Sequence, residues 1–349
     1  MRVLNIMMGK KRGGLENAAL DAYEALTLAG CEVTTLLHSS AEMREKFPAS
    51  ADVMTFSTPG LWDPTADFRL KRILDGTRFD VILAHGNRAA KLAITLRKKA
   101  PLVLVCHTTN YSSTEMIEQI DGAIVLTNHY RDVMLKAGCP PAKLRLVPNA
   151  VRLGPEPGDP PQRKIPLIGG LGRLVPNKGF DILLEALAIL KRRGTAFSCI
   201  IHGVDDNGRT ESFEAMRDRL GLDANEVAFP GWTKTPHDFL RSLDIFAMPS
   251  RREVLSIALL EALAAGRPIV CAQVPGLEDV FSEGNEGFFV DIGDVEGLAT
   301  ALESLLNNAK LRGQMGHAAR ERARRFDIAT IGLEMRNALE SLMAQPKRP

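Results

Sequence analysis

Short apolar runs alternate with longer amphipathic stretches along the whole chain. In the first half, Val3–Met7, Glu32–Leu37, Val81–Ala84, Leu102–Cys106 and Ala123–Leu126 predict strands. Between them, Glu16–Ala29, Arg88–Lys98 and Tyr130–Ala137 predict helices, with Gly30 and Gly138 where helix C-caps belong. Strand, helix, strand in that rhythm predicts a parallel sheet with crossover helices. The run Gly154–Pro161 holds four prolines and two glycines. Neither a helix interior nor a central strand accepts that composition, so it predicts an interdomain linker. After it the alternation restarts. Strands are expected at Pro166–Gly170, Ser198–His202, Val227–Phe229, Ile245–Met248, Pro268–Cys271 and Gly287–Val290. Helices are expected at Asp181–Arg193, Thr210–Gly221, Pro236–Ser242, Ile257–Ala265, Val295–Asn308 and Ala329–Met343.

The expected architecture is therefore α/β, with two Rossmann-like parallel-sheet domains at 1–155 and 162–328. Ligands of open parallel sheets bind outside the carboxyl ends of the strands. Two such sheets facing one another would share one cleft, so the loops after the strands are where chemistry is sought.

Composition narrows the function classes. Hydrophobic content of 45% and charged content of 25% are globular values. A formal net charge of +2 gives no case for a nucleic-acid partner, and 5% aromatics is too sparse for a base-stacking surface. Cys31, Cys106, Cys139, Cys199 and Cys271 form no CxxC pair, which fits scattered reduced thiols and speaks against a zinc site. The apolar run at the start is followed, not preceded, by Lys10-Lys11-Arg12, the reverse of a secretory signal. No stretch approaches 18 uncharged apolar residues, so no membrane-spanning helix is expected. Together these predict a cytoplasmic protein.

Two stretches carry candidate chemistry. In Gly170–Asp181 a strand ends, a loop turns and a helix begins, with Arg173 and Lys178 five residues apart. Both suit an anion held near a helix N-terminus, Arg as a planar fork and Lys as a point charge. The stretch is not a P-loop, because GxxxxGK[ST] is absent. In Pro249–Pro268, Glu253 and Glu261 flank seven mainly apolar or small residues. Eight residues of helix span ~12 Å, about the reach from a sugar across a pyrophosphate to a ribose. Glu253 would accept sugar hydroxyls, Glu261 ribose hydroxyls, and the N–H groups of Leu255, Ser256 and Ile257 would face the phosphates. The competing readings are solvated surface cations for the first stretch. For the second they are a helix-start acid and a buried ion pair.

Both stretches resemble the retaining GT-B-fold glycosyltransferases called glycosyl transferases group 1, or family 4. The resemblance rests on Gly172-Arg173-Leu174, Lys178-Gly179 and Glu253 with Glu261-Ala262-Leu263-Ala264-Ala265-Gly266-Arg267-Pro268. It continues through Val274–Val280, Gly287–Val290 and Arg325-Phe326. It implies a GT-B fold whose last helix, within 329–349, returns to the first domain. It implies that Arg173 and Lys178 bind the donor diphosphate, Glu253 the donor sugar and Glu261 the ribose. Gly231-Trp232-Thr233 matches the loop that lies against the nucleobase. Leu255-Ser256 departs from the family's frequent Phe-Gly, but serine is small enough to keep the backbone close to phosphate.

The first domain matches more loosely. Gly9–Glu16 follows the first strand where family members carry a glycine-rich loop over the donor phosphates, so Gly13 and Gly14 are assigned there. Lys10, Lys11 and Arg12 face either the phosphates or acceptor, or solvent. His85 and His107 sit at strand carboxyl ends, and His107 matches a family position contacting the donor near the reacting carbon. His85 is balanced between a site and a structural role, while Thr127 and Asn149 read as structural. The implied catalytic set is His107, Glu253, Arg173 and Lys178, with no metal, because the chain contains no Asp-x-Asp.

The implied reaction moves a sugar, with retention, from a nucleoside-diphosphate-sugar to a sugar, glycan or lipid-linked acceptor. No further cofactor is expected. A non-catalytic sugar-nucleotide-binding protein of the same fold is the alternative. A dinucleotide dehydrogenase is disfavoured, since Gly9 to Gly14 does not give GxGxxG. The basic stretches Arg69–Leu74 and Lys91–Lys99 fit either solvent faces of packed helices or peripheral contact with an anionic inner membrane.

Overall fold

The computed structural model describes residues 1–11, 13–57, 65–108, 114–156, 163–205 and 208–344. The chain divides into two compact units, Met1–Ala150 with Phe326–Pro349, and Val151–Arg325. The expected boundaries at 155 and 328 thus both move towards the N-terminus. Residues 151–156 belong to the second unit because Arg320 donates to the carbonyls of Leu153 and Gly154, and Arg320 and Arg324 both pair with Glu156.

The first unit is a seven-stranded sheet of order β3-β2-β1-β4-β5-β6-β7. Its strands are β1 (Arg2–Met7), β2 (Glu32–His38), β3 (Asp52–Phe56), β4 (Val81–His85), β5 (Leu102–Val105), β6 (Gly122–Val125) and β7 (Leu144–Leu146). Every pairing is parallel. β1 lies in the interior of the sheet, and Val3, Leu4, Ile6 and Met7 are fully buried, as a strand covered on both faces requires. The crossovers carry α1 (Gly14–Leu28), α2 (Ala66–Ile73), α3 (Gly86–Ile94), α4 (Thr114–Gln119) and α5 (Asn128–Lys136). Thr127 caps α5 by accepting from the Tyr130 N–H at 3.2 Å. Chain order reverses between β1 and β4, so the first unit's switch point lies beyond Met7 and His85.

The second unit is a six-stranded parallel sheet of order β10-β9-β8-β11-β12-β13. It comprises β8 (Leu167–Leu171), β9 (Ser198–His202), β10 (Val227–Gly231), β11 (Ile245–Met248), β12 (Ile269–Ala272) and β13 (Gly287–Val290). Its helices are α6 (Phe180–Arg192), α7 (Arg209–Arg219), α8 (Pro236–Ser242), α9 (Ile257–Ala264), α10 (Val295–Leu306) and α11 (Ala309–Ala323). Leu183, Leu187 and Leu190 of α6 and Leu298, Leu302 and Leu305 of α10 share one buried cluster with β8 and β9 residues. Chain order reverses between β8 and β11, so the loops 172–179 and 249–256 both leave the sheet at its switch point.

The last helix, α12 (Ile328–Met343), belongs to the first unit. Its Arg336 donates to the Ala29 carbonyl at 2.9 Å. A Cβ on Gly332 would stand 2.1 Å from the Ala25 carbonyl oxygen, so only glycine lets α12 lie this close to α1. β3, β7, α4 and α11 are additions to the elements expected from the sequence pattern, and α2 carries most of the basic amphipathic stretch Arg69–Leu74.

Candidate active site

At the second unit's switch point the two loops are fastened together. The chain leaving β8 turns through Gly172 and Arg173, makes a short 3-10 turn at Pro176–Lys178, and reaches Gly179 with φ +68° before α6 begins. The chain leaving β11 runs through Pro249 to Ser256 and enters α9. The Arg251 N–H donates to the Asn177 carbonyl at 2.8 Å. The Arg251 guanidinium donates to the Pro176 carbonyl at 2.7 Å and grips both Asp181 oxygens at 2.8 and 2.6 Å. Burial pushes the Asp181 carboxyl up, but the Arg251 hydrogen bonds and charge outweigh it, and the pKa settles below its ordinary value.

This closure brings Lys178 and Glu253 into contact, Nζ to Oε1 at 2.5 Å. Their side chains are 21% and 12% exposed, so water screens the pair less than it does a surface bridge. The buried Ser250 hydroxyl donates to the same Glu253 oxygen at 3.0 Å. Lys178 reaches across Gly172, where a Cβ would meet its Cε at 3.3 Å. Arg173 lies on the same loop, exposed, and its side chain has no hydrogen-bond or ion-pair partner among the described residues. One cation is thus engaged by the acid and the other is exposed on the same loop.

The structure places the remaining candidates around the same sheet edge. Ser256 is the N-cap of α9 and makes no side-chain capping bond. Leu260 N bonds back to the Ser256 carbonyl at 3.3 Å, so the first-turn N–H groups of Ile257, Ala258 and Leu259 precede the ladder. Of the three expected phosphate-facing positions, Ile257 therefore lies in the first turn, Ser256 caps it, and Leu255 is buried just before it. Glu261 sits half-buried on the second turn of α9. Gly231 ends β10 with φ +82°, and its carbonyl accepts from His202 Nδ1 at 2.7 Å and from Gly203 N at 3.1 Å. Trp232 and Thr233 follow, half-buried, with the Thr233 hydroxyl accepting from Thr235 N at 3.2 Å. Sequence reasoning missed Arg251, Ser250 and His202. The first two lay inside the quoted stretch, but their partners are visible only once the loops meet.

The first unit contributes a separate group at its own carboxyl edge. His85 is the last residue of β4, and His107 follows β5. His85 Nδ1 lies 2.9 Å from His107 Nε2. Burial lowers both pKa values, His85 well below its ordinary value with the His107 charge adding to the effect, and His107 to about 4. The pair is neutral at pH 7. Burial, then the charges of Lys10 and Arg88, also lowers His38 at the end of β2. Gly13 caps α1 and Gly14 is its first residue. A Cβ on Gly9 or Gly13 would stand 1.8 or 2.8 Å from the Glu16 carboxylate, which folds back over the loop. Arg12 lies outside the described residues.

All five cysteines are buried and free. Among the described residues no group of three His, Cys, Asp or Glu is arranged to hold a metal ion. No helix there is long and apolar enough to cross a membrane.

Two parallel α/β sheets, the second with cations and an acid gathered at its switch point, define a Rossmann-like protein. Residues 159–322 match the family described as Glycosyl transferases group 1, and residues 12–155 match Glycosyltransferase Family 4. The chain belongs to this glycosyltransferase family and has the GT-B fold.

It is 26% identical to a phosphatidyl-myo-inositol mannosyltransferase of Mycobacterium leprae, over 95% of this chain and 93% of that one. A lipopolysaccharide core biosynthesis glycosyltransferase of Rhizobium meliloti, LpsE, is 31% identical. That match spans 45% of this chain and 44% of the relative, so less than half of each is compared. Among solved structures, Anabaena HepE in complex with UDP-glucose superposes with a TM-score of 0.83 at 20% identity. The superposition covers 98% of this chain and 100% of HepE.

Proposed function

We propose that the protein transfers a sugar, with retention, from a nucleoside-diphosphate-sugar to an acceptor hydroxyl in the synthesis of a glycan, glycolipid or lipopolysaccharide. The observation that carries this reading is the Lys178–Glu253 contact at the switch point, with Arg173 unengaged on the same loop. The names of the relatives support it, as does the UDP-glucose held by HepE.

Arg173 and Lys178 neutralise the departing diphosphate, aided by the first-turn N–H groups of α9. Glu253 accepts hydroxyls of the sugar, and Glu261 those of the ribose. The Gly231-Trp232-Thr233 loop lies against the base, while Gly13 and Gly14 let backbone approach the phosphates. The bond between the anomeric carbon and the diphosphate oxygen breaks as the acceptor oxygen bonds that carbon on the same face. The acceptor's proton passes to the leaving phosphate oxygen. Protein cations do the work that a metal clamp performs elsewhere, and no further cofactor takes part. The protein acts in the cytoplasm, with the basic stretches Arg69–Leu74 and Lys91–Lys99 offering peripheral contact to anionic lipid.

The test is a screen of UDP-, GDP- and ADP-sugars for transfer and slow donor hydrolysis, with NMR of the anomeric proton of the product. A retained anomeric configuration is expected. Tight nucleotide binding with no turnover of any donor would instead make this a non-catalytic binding protein.

A further inference from the structure

The His85 ring is 1% exposed, and its Nδ1 faces His107 Nε2 at 2.9 Å. Its other nitrogen, Nε2, is buried with no hydrogen-bond partner among the described residues. In a neutral pair one of the two facing nitrogens carries the proton, so two tautomeric arrangements exist. If His107 donated from Nε2, His85 would carry its own proton on Nε2. That would leave a buried N–H with nothing to donate to, a rare and costly state. If His85 donates from Nδ1, its Nε2 is a bare lone pair, which a buried site tolerates better.

We propose that His85 is a positioning residue that donates its Nδ1–H to His107 Nε2, fixing His107 as the Nδ1–H tautomer so that it meets the substrate as a hydrogen-bond donor and not as a base. His107 is half-buried, and its Nδ1 has no partner among the described residues, which leaves that N–H for an oxygen of the ligand. The ligand oxygen is a sugar hydroxyl or a phosphate oxygen of the donor, a clause that rests on the functional reading above. A neutral imidazole is suited to such a contact, because it polarises an oxygen without taking its proton.

The test labels the full-length protein with 15N-histidine and reads ring protonation from long-range proton–nitrogen correlations at neutral pH, with His107→Gln assigning the signals. Both His85 and His107 are expected to be protonated on Nδ1 and bare on Nε2. A proton on His107 Nε2 would overturn the proposal. His85→Leu removes the donor and is expected to shift His107 towards the Nε2–H tautomer and lower kcat by about tenfold or more, with less change in KM. His85→Asn keeps an N–H near the position of Nδ1 and is expected to restore the His107 tautomer and most of the lost kcat. A leucine variant with the parental tautomer and kcat would sink the idea. Should that variant fail to fold, the tautomer of the parent protein still decides. Should no sugar nucleotide be turned over, the functional reading fails while the tautomer measurement stands by itself.

Discussion

A Cβ on Gly179 would stand 1.9 Å from the carbonyl oxygen of Pro249. The Lys178 loop and the Glu253 loop therefore meet only because residue 179 has no side chain. Its φ of +68° adds a second reason, since L side chains rarely adopt it.

The two reasons are separable. Gly194 after α6 has φ +77° but nothing within 4 Å of an added Cβ. Gly194→Ala is expected to cost about 1 kcal/mol, the conformational term alone. Gly179→Ala adds a backbone clash and is expected to cost on the order of 3 kcal/mol. Urea unfolding of both variants measures the difference. Equal losses would mean that the loops part without strain.

Lys178 and Glu253 touch, so their contributions are coupled. Lys178→Ala is expected to lower kcat by ~10²–10³, the scale for losing one preorganised charge partner. Glu253→Ala should reduce turnover more than nucleoside-diphosphate affinity, while Glu261→Ala should weaken that affinity. In kcat/KM the Lys178→Ala, Glu253→Ala double variant should lose less than the two single losses combined. Strict additivity would argue that the contact has no role in turnover.

Acid should destabilise the first unit through its histidine pair. His107 takes up protons with a pKa of about 4 when folded and 6.5 as its ordinary value, so the unfolded chain binds more protons between those limits. Stability therefore rises with pH across that window and is lost as pH falls from about 6.5 towards about 4. His85, lowered further, extends the loss in the same direction. Urea midpoints measured across the window should fall steeply for the parent protein and less steeply for His107→Gln. An identical slope in both would remove His107 as the cause.

The pattern of the chain made all six strands of the second sheet legible, its edges β10 and β13 included, and left only the two edges of the first sheet obscure. Ser198–His202, Ile245–Met248 and Gly287–Val290 carry the residues the pattern predicts. β3 and β7, the two edges of the first sheet, were missed because both are covered incompletely and neither carries a continuous apolar run. Asp52–Phe56 has one fully buried residue, and Leu144–Leu146 is buried only at its start. α11 was missed because it buries small residues, Gly316, Ala319 and Ala323, beside Met315, and leaves no strong apolar stripe. In the site, the spacing of Arg173, Lys178, Glu253 and Glu261 was visible along the chain. The Arg251–Asp181 clamp and the His85–His107 pair were not, because each joins residues that only the folded sheet brings together.

α12 has a consequence for the order in which the protein is made. Ala25 and Ala29 of the first helix region receive their cover from Gly332 and Arg336, which are translated only after the whole of 151–325. Leu342, later still, fills the space over Gly122. The first unit is thus completed only after the second, and a nascent chain must keep the outer side of α1 bare while all of the second sheet is being produced.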